Sequence, residues 1–221
     1  MKVLLFGATG MVGQGVLREC LLDEKVELVT TIGRHKTGKT HPKLQEIEHQ
    51  DLFDYSTIEA QLTGFDACFF CLGISSFGMK EKEYRHITYD LTLAAANALV
   101  KRNPGMVFTY VSGTGTDSTE KGRVMWARVK GETENALLRL PFKAAYMFRP
   151  GMIQALHGVK SKTKLYRMIY PLFAPLFPIL NALFPHQMTT TEKIGRAMLW
   201  VVQHGAPKPI LESRDFNGLV N

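Results

Sequence analysis

Short apolar runs alternate along this chain with segments whose apolar positions recur every three or four residues. The runs predict β-strands over 2–7, 26–32, 46–50, 66–72, 105–111 and 144–149. The helical spacing predicts helices over about 11–22, 56–62, 82–102 and 122–138. This alternation predicts an α/β fold, a doubly wound parallel sheet with helices on both faces and right-handed crossovers. The natural strand order for such a sheet is 3-2-1-4-5-6. Further on, TTTEKIGRAMLWVVQHG predicts a last long helix, with Thr189 as N-cap, Glu192 reaching back in a capping box, and Gly205 as the stop. KPILESRDFNGL offers a short final edge strand. With no internal repeat or low-complexity linker, residues 1–221 are expected to form a single domain.

Composition adds limits to this picture. Hydrophobic residues make up 45% and charged residues 21%, ordinary values for a globular domain. The formal net charge of +7 suits attraction to small anions. The basic residues form only short clusters, Arg34 to Lys39 and Lys160 to Lys164, so no basic stripe argues for a nucleic-acid partner. Three cysteines, an odd number, and a Met1 that leads straight into a strand predict a reducing, cytoplasmic setting. Cys68 and Cys71 form a C-x-x-C, but within an expected strand. Residues three apart on a strand face opposite sides, so the pair should neither chelate metal nor form a disulfide.

The first strand runs directly into GATGMVG, with Gly7, Gly10 and Gly13 at a spacing of three. A glycine loop between a strand and a helix suits a dinucleotide pyrophosphate. Gly7 permits the tight turn, Gly10 the close approach of phosphate, and Gly13 the close packing of helix on strand. Thr9, Met11 and Val12 complete that loop as cofactor-binding positions. The second strand ends at Gly33-Arg34, where an adenosine ribose would lie. A carboxylate at that tip suits NAD, whereas Arg34 suits the 2′-phosphate of NADP. Asp51 and Leu52 follow the third strand at the adenine position. Cys71, Leu72 and Gly73 end the fourth strand, where a glycine admits a ribose. Ser112 ends the fifth strand. It is no nucleophile elbow, because Tyr110 occupies the first glycine position of G-x-S-x-G. Lys130 lies four residues after Trp126, on the same face of a predicted helix.

Together these residues resemble the short-chain dehydrogenase/reductase family, in its atypical, epimerase-like and NmrA-like branch. The resemblance covers the loop 7–13, Arg34, Asp51, Cys71 to Gly73, Ser112, Lys130, Arg149 to Gly151 and the C-terminal helix. It implies a Rossmann fold with a small, mostly helical C-terminal substrate lobe. It also implies catalytic roles for Ser112, which would orient a carbonyl, and for Lys130, which would hold the nicotinamide ribose. Pro150, Gly151, Met152 and Ile153 would form the wall beside the nicotinamide. The family's proton-carrying tyrosine, four residues before its lysine, is here Trp126, whose indole N–H donates but does not shuttle a proton near neutral pH. Tyr84, Tyr89, His86 and water are the other proton sources open to it.

Residues 151–190 read as an apolar lid or substrate insertion. Within it, Met168 to Pro185 carries no charge over eighteen residues, and prolines at 171, 175, 178 and 185 oppose a straight helix. A lid over an apolar substrate pocket, or packing against the sheet, ranks first, a peripheral membrane contact through 165–185 second and a membrane span last. The expected function is that of an NADP(H)-binding oxidoreductase or isomerase for a small carbonyl-type substrate. The alternative is a catalytically idle NADP(H) sensor. Nothing in the spacing decides the oligomeric state.

Overall fold

The computed structural model describes residues 1–159 and 187–220. The stretch 165–185, and with it most of the expected lid, lies outside the described residues. Seven parallel strands form the central sheet in the order β3-β2-β1-β4-β5-β6-β9. They are β1 (Lys2–Phe6), β2 (Leu28–Gly33), β3 (Leu44–Glu48), β4 (Ala67–Phe70), β5 (Val107–Val111), β6 (Ala144–Arg149) and β9 (Ile210–Glu212). Six of them follow the expected order 3-2-1-4-5-6, and β9 adds the expected edge strand beside β6. A separate parallel pair, β7 (Met152–Gln154) and β8 (Met188–Thr190), was not foreseen.

Residues 3–6 of β1 are all fully buried, because the strand is covered on both faces. Alternate side chains therefore feed two separate cores. Val3 and Leu5 join Ala67, Phe69 and Val107 on one side. Leu4 and Phe6 join Cys68, Phe70 and Phe108 on the other. The C-x-x-C divides in the same way, with Cys68 in the second core and Cys71 packed against the first. Both are free thiols, as the strand period requires.

The helices are α1 (Met11–Leu22), α2 (Glu81–Arg85), α3 (Leu91–Val100), α4 (Met125–Leu138), α5 (Thr191–His204) and α6 (Ser213–Gly218). A π turn, His86–Asp90, joins α2 to α3, and residues Ser56–Gln61 form a 3-10 turn. Helix α4 begins three residues later than expected, because Asp117 Oδ2 accepts from the Gly122 backbone N–H at 2.6 Å and holds the preceding loop. Helix α5 stops at Gly205 (φ +77°) as expected, but its N-cap is Thr190, which accepts from Lys193 N at 3.0 Å. Thr189 instead donates to Asn217 Oδ1 at 2.8 Å, and Glu192 pairs with His157 at 2.7 Å. Helices α1 and α5 cross closely, since a Cβ on Gly15 would lie 2.6 Å from Thr191 Cβ. Among the described residues no helix is long and apolar enough to cross a membrane.

Candidate functional site

A cavity of about 640 Å³ opens along the C-terminal edge of the sheet, where β1 and β4 diverge from each other's crossovers. That volume is ordinary for a small-molecule site. Its floor at one end is the glycine loop. Gly7 has φ +78°, and a Cβ there would lie 2.7 Å from the backbone of Cys71 and Leu72. A Cβ on Gly13 would run into the Gly7 carbonyl oxygen. These two glycines let α1 and the segment after β4 close against the loop. Gly10 is the N-cap of α1 and supplies no side-chain cap, and the first turn of α1 carries no carboxylate. The positive end of this helix therefore faces the cavity with neither a side-chain cap nor a carboxylate of its own first turn beside it.

The lining includes most of the expected cofactor positions: Gly7, Thr9, Gly10, Met11, Val12, Arg34, Leu52, Cys71, Leu72 and Gly73. Ser112 and Lys130 stand at its other end. Arg34 is exposed at the tip of β2, and no acidic side chain among the described residues pairs with it. The cavity is thus lined by an unpaired guanidinium, an uncapped helix and glycines whose missing side chains leave its cradle open. Those features fit a phosphate-bearing dinucleotide.

Six expected positions do not reach the lining. Gly13 is spent on helix packing. Asp51 Oδ1 accepts from Phe53 N at 2.9 Å, in a local turn that holds its carboxylate outside the cavity. Pro150 accepts from Thr114 N at 2.9 Å, and Gly151 donates to Ser213 Oγ at 2.9 Å. Met152 and Ile153 are drawn into β7, against β8. Sequence reasoning missed the segment Ile74 to Ser76 and the β2 residues Thr31 and Ile32, all of which line the cavity. Their only signal was adjacency to strand ends. Of the three protic side chains left open, Tyr84 lines the cavity. His86 stacks on Phe53 with ring centroids 4.4 Å apart and bonds Asp90, while Tyr89 lies under the Arg85 guanidinium.

The end of the cavity at Ser112 and Lys130 is organised by an ionic network centred on a buried carboxylate. Glu134 is fully buried on α4, one turn beyond Lys130. Its carboxylate takes a fork from Arg149, with Nε to Oε1 at 3.0 Å and Nη2 to Oε2 at 2.5 Å. Arg149 also reaches Ser118 Oγ and Glu212. Ser112 Oγ, 2.5 Å from Glu134 Oε1, donates to it, and lies 3.1 Å from the Phe148 carbonyl oxygen. The serine hydroxyl is therefore turned into the network rather than toward a ligand. Lys130 Nζ donates to the Ser112 carbonyl oxygen. Burial lowers its pKa to about 8, against the Glu134 charge that favours the ammonium. Neither Glu134 nor its partnership with Arg149 was foreseen. The signal was an acidic residue four places after Lys130 on a predicted helix, and an arginine closing the sixth strand.

No family model matches the chain. It is 30% identical over 168 residues to the protein fmp52-2, mitochondrial, of Aspergillus terreus, covering 75% of this chain and 72% of that one. It is 27% identical over 155 residues to the protein HTATIP2 of Rattus norvegicus, covering 69% of this chain and 62% of that one. A crystal structure of dTDP-glucose 4,6-dehydratase from Streptomyces venezuelae with NAD bound superposes with a TM-score of 0.69 at 18% identity, over 99% of this chain and 80% of that one. The fold is thus the Rossmann fold. The mitochondrial naming of the fmp52 relatives overturns the expected cytoplasmic setting. Free thiols speak of reducing surroundings, which are not an address within the cell. The glycine loop, the strand order and the relatedness to fmp52-2 agree: this chain belongs to the atypical short-chain dehydrogenase/reductase family.

Proposed function

We propose that this chain binds NADP(H) along the cavity and acts as an oxidoreductase or isomerase on a small carbonyl-type substrate. One observation carries the reading. A single cavity joins the uncapped N-terminus of α1, the unpaired Arg34 and the half-buried Lys130. The α1 backbone N–H groups would hold the pyrophosphate, Arg34 the 2′-phosphate, Leu52 the adenine face and Lys130 the nicotinamide ribose. When bound, the nicotinamide supplies or accepts hydride. The chain's own residues position the ligand and keep water from it, with Trp126, Tyr84 and Val111 enclosing the far end.

The second reading is a catalytically idle NADP(H) sensor. Trp126 at the tyrosine position and the capture of Ser112 Oγ by Glu134 favour it. Both readings expect NADPH to stabilise the protein thermally and to gain nicotinamide fluorescence on binding; absence of both effects sinks the cofactor assignment. Oxidation of NADPH in the presence of any member of a broad carbonyl panel supports the enzyme, and binding without turnover across that panel supports the sensor.

A further inference from the structure

We propose that Lys130 is the proton-bearing group of this site, its amine giving and taking the proton that the family's missing tyrosine would otherwise carry. The inference rests on the dinucleotide reading above.

Geometry supports it first. The half-buried amine lines the cavity, and among the described residues its one polar partner is the Ser112 carbonyl oxygen. That bond uses one of three ammonium N–H groups, leaving two for a ligand. The nearby carboxylate does not compete for them, because Arg149 and Ser112 occupy both Glu134 oxygens. Of the other protic groups, Tyr84 shares the cavity lining and its phenol is held neutral by burial. Ser112 Oγ donates to Glu134, His86 bonds Asp90, and Trp126 offers an indole that does not titrate. The groups facing Lys130 can be named element by element. From α4 itself, Glu134 favours the ammonium; from β6 and β9, Arg149 and Glu212 lie behind that carboxylate. From α2, the Tyr84 phenol is pushed up by burial, as is the Cys71 thiol after β4, so both stay neutral at physiological pH. Desolvation of the ammonium outweighs Glu134, and both protonation states of Lys130 are populated slightly above neutrality. A group so poised suits acid–base work.

The step balances simply. In carbonyl reduction one Nζ–H bond breaks, its electron pair stays on nitrogen, and one O–H bond forms on the substrate. The carbonyl carbon receives hydride from the co-reactant, a dihydronicotinamide, which ends oxidised. In alcohol oxidation the neutral amine takes the proton back.

Two measurements that need no substrate test this. Acetic anhydride labelling across a pH series, read by mass spectrometry at each lysine, should show Lys130 reacting with a midpoint near pH 8, against about 10.4 for exposed lysines. The charged amine is unreactive, so labelling rises with pH. A Lys130 midpoint among those of the exposed lysines overturns the proposal whether or not NADPH binds. NADPH calorimetry in buffers of different ionisation enthalpy should then show proton uptake near pH 8, as an anionic ligand favours the ammonium. That uptake should persist in Tyr84→Phe and vanish in Lys130→Arg, which keeps the charge without titrating. Loss of uptake in Tyr84→Phe, or its survival in Lys130→Arg, assigns the proton elsewhere. Failure of NADPH to bind sinks the underlying dinucleotide reading, while the labelling midpoint still judges Lys130.

Discussion

The two ends of the cavity are built by different physics. At the α1 end the backbone does the shaping. Gly7 sits at φ +78° against Cys71 and Leu72, Gly13 lies against Gly7, and the N-terminus of α1 opens on the cavity without a side-chain cap. At the α4 end side chains do it. Ser112 after β5, Glu134 on α4 and Arg149 on β6 meet in one buried network, with the part-exposed Glu212 at its rim, and Lys130 donates to the Ser112 carbonyl beside it. The first end can lose its function to a single methyl group. The second can lose its stability to a single missing charge.

The largest effect tests the second end. Glu134→Ala leaves the Arg149 guanidinium buried with only Ser118 Oγ and the more distant, part-exposed Glu212, and should cost about 3 kcal/mol in chemical denaturation, with Ser112 Oγ released. A cost under about 1 kcal/mol would mean that the network is not what holds this end. Next, Gly13→Ala forces a methyl into the Gly7 carbonyl. It should cost about 1–3 kcal/mol and abolish thermal stabilisation by NADPH, since the loop must shift from the phosphate site. Retained stabilisation would show that the loop tolerates a wider helix–strand gap. The smallest effect is a control outside both ends. Thr190→Ala removes the α5 cap and should cost about 1 kcal/mol with NADPH affinity unchanged. A loss of affinity there would tie α5 to the cavity and blur the contrast.

The same contrast explains what was legible in the chain. Strand runs such as VLLF in β1 and ACFF in β4 are apolar throughout because both faces are buried, so the sheet and its order could be read directly. The glycine loop was legible because steric exclusion leaves only glycine at φ > 0 and at close helix–strand contact. The place of Arg34, just past the tip of β2 and on the cavity lining, was legible as well. The Glu134–Arg149 pair was not, because a salt bridge between α4 and β6 has no fixed sequence spacing. Residues 150–153 were placed beside the nicotinamide by resemblance, but the pairing of β7 with β8 draws them off the lining. Asp51 was expected at the adenine position, but its carboxylate accepts from Phe53 N in a local turn and does not line the cavity, a use the sequence pattern leaves equally open. The thiols described the redox surroundings and were silent on the compartment.

The central claim is that this cavity holds NADP(H), with Arg34 reading the 2′-phosphate. The most direct test is titration of NADPH and NADH into the native chain and into Arg34→Ala, following nicotinamide fluorescence. The account predicts tighter binding of NADPH than NADH to the native chain. Arg34→Ala should weaken NADPH by roughly 10- to 100-fold, the worth of a charge-assisted contact, and leave NADH nearly unchanged. An equal loss for both cofactors, or no preference in the native chain, would contradict it.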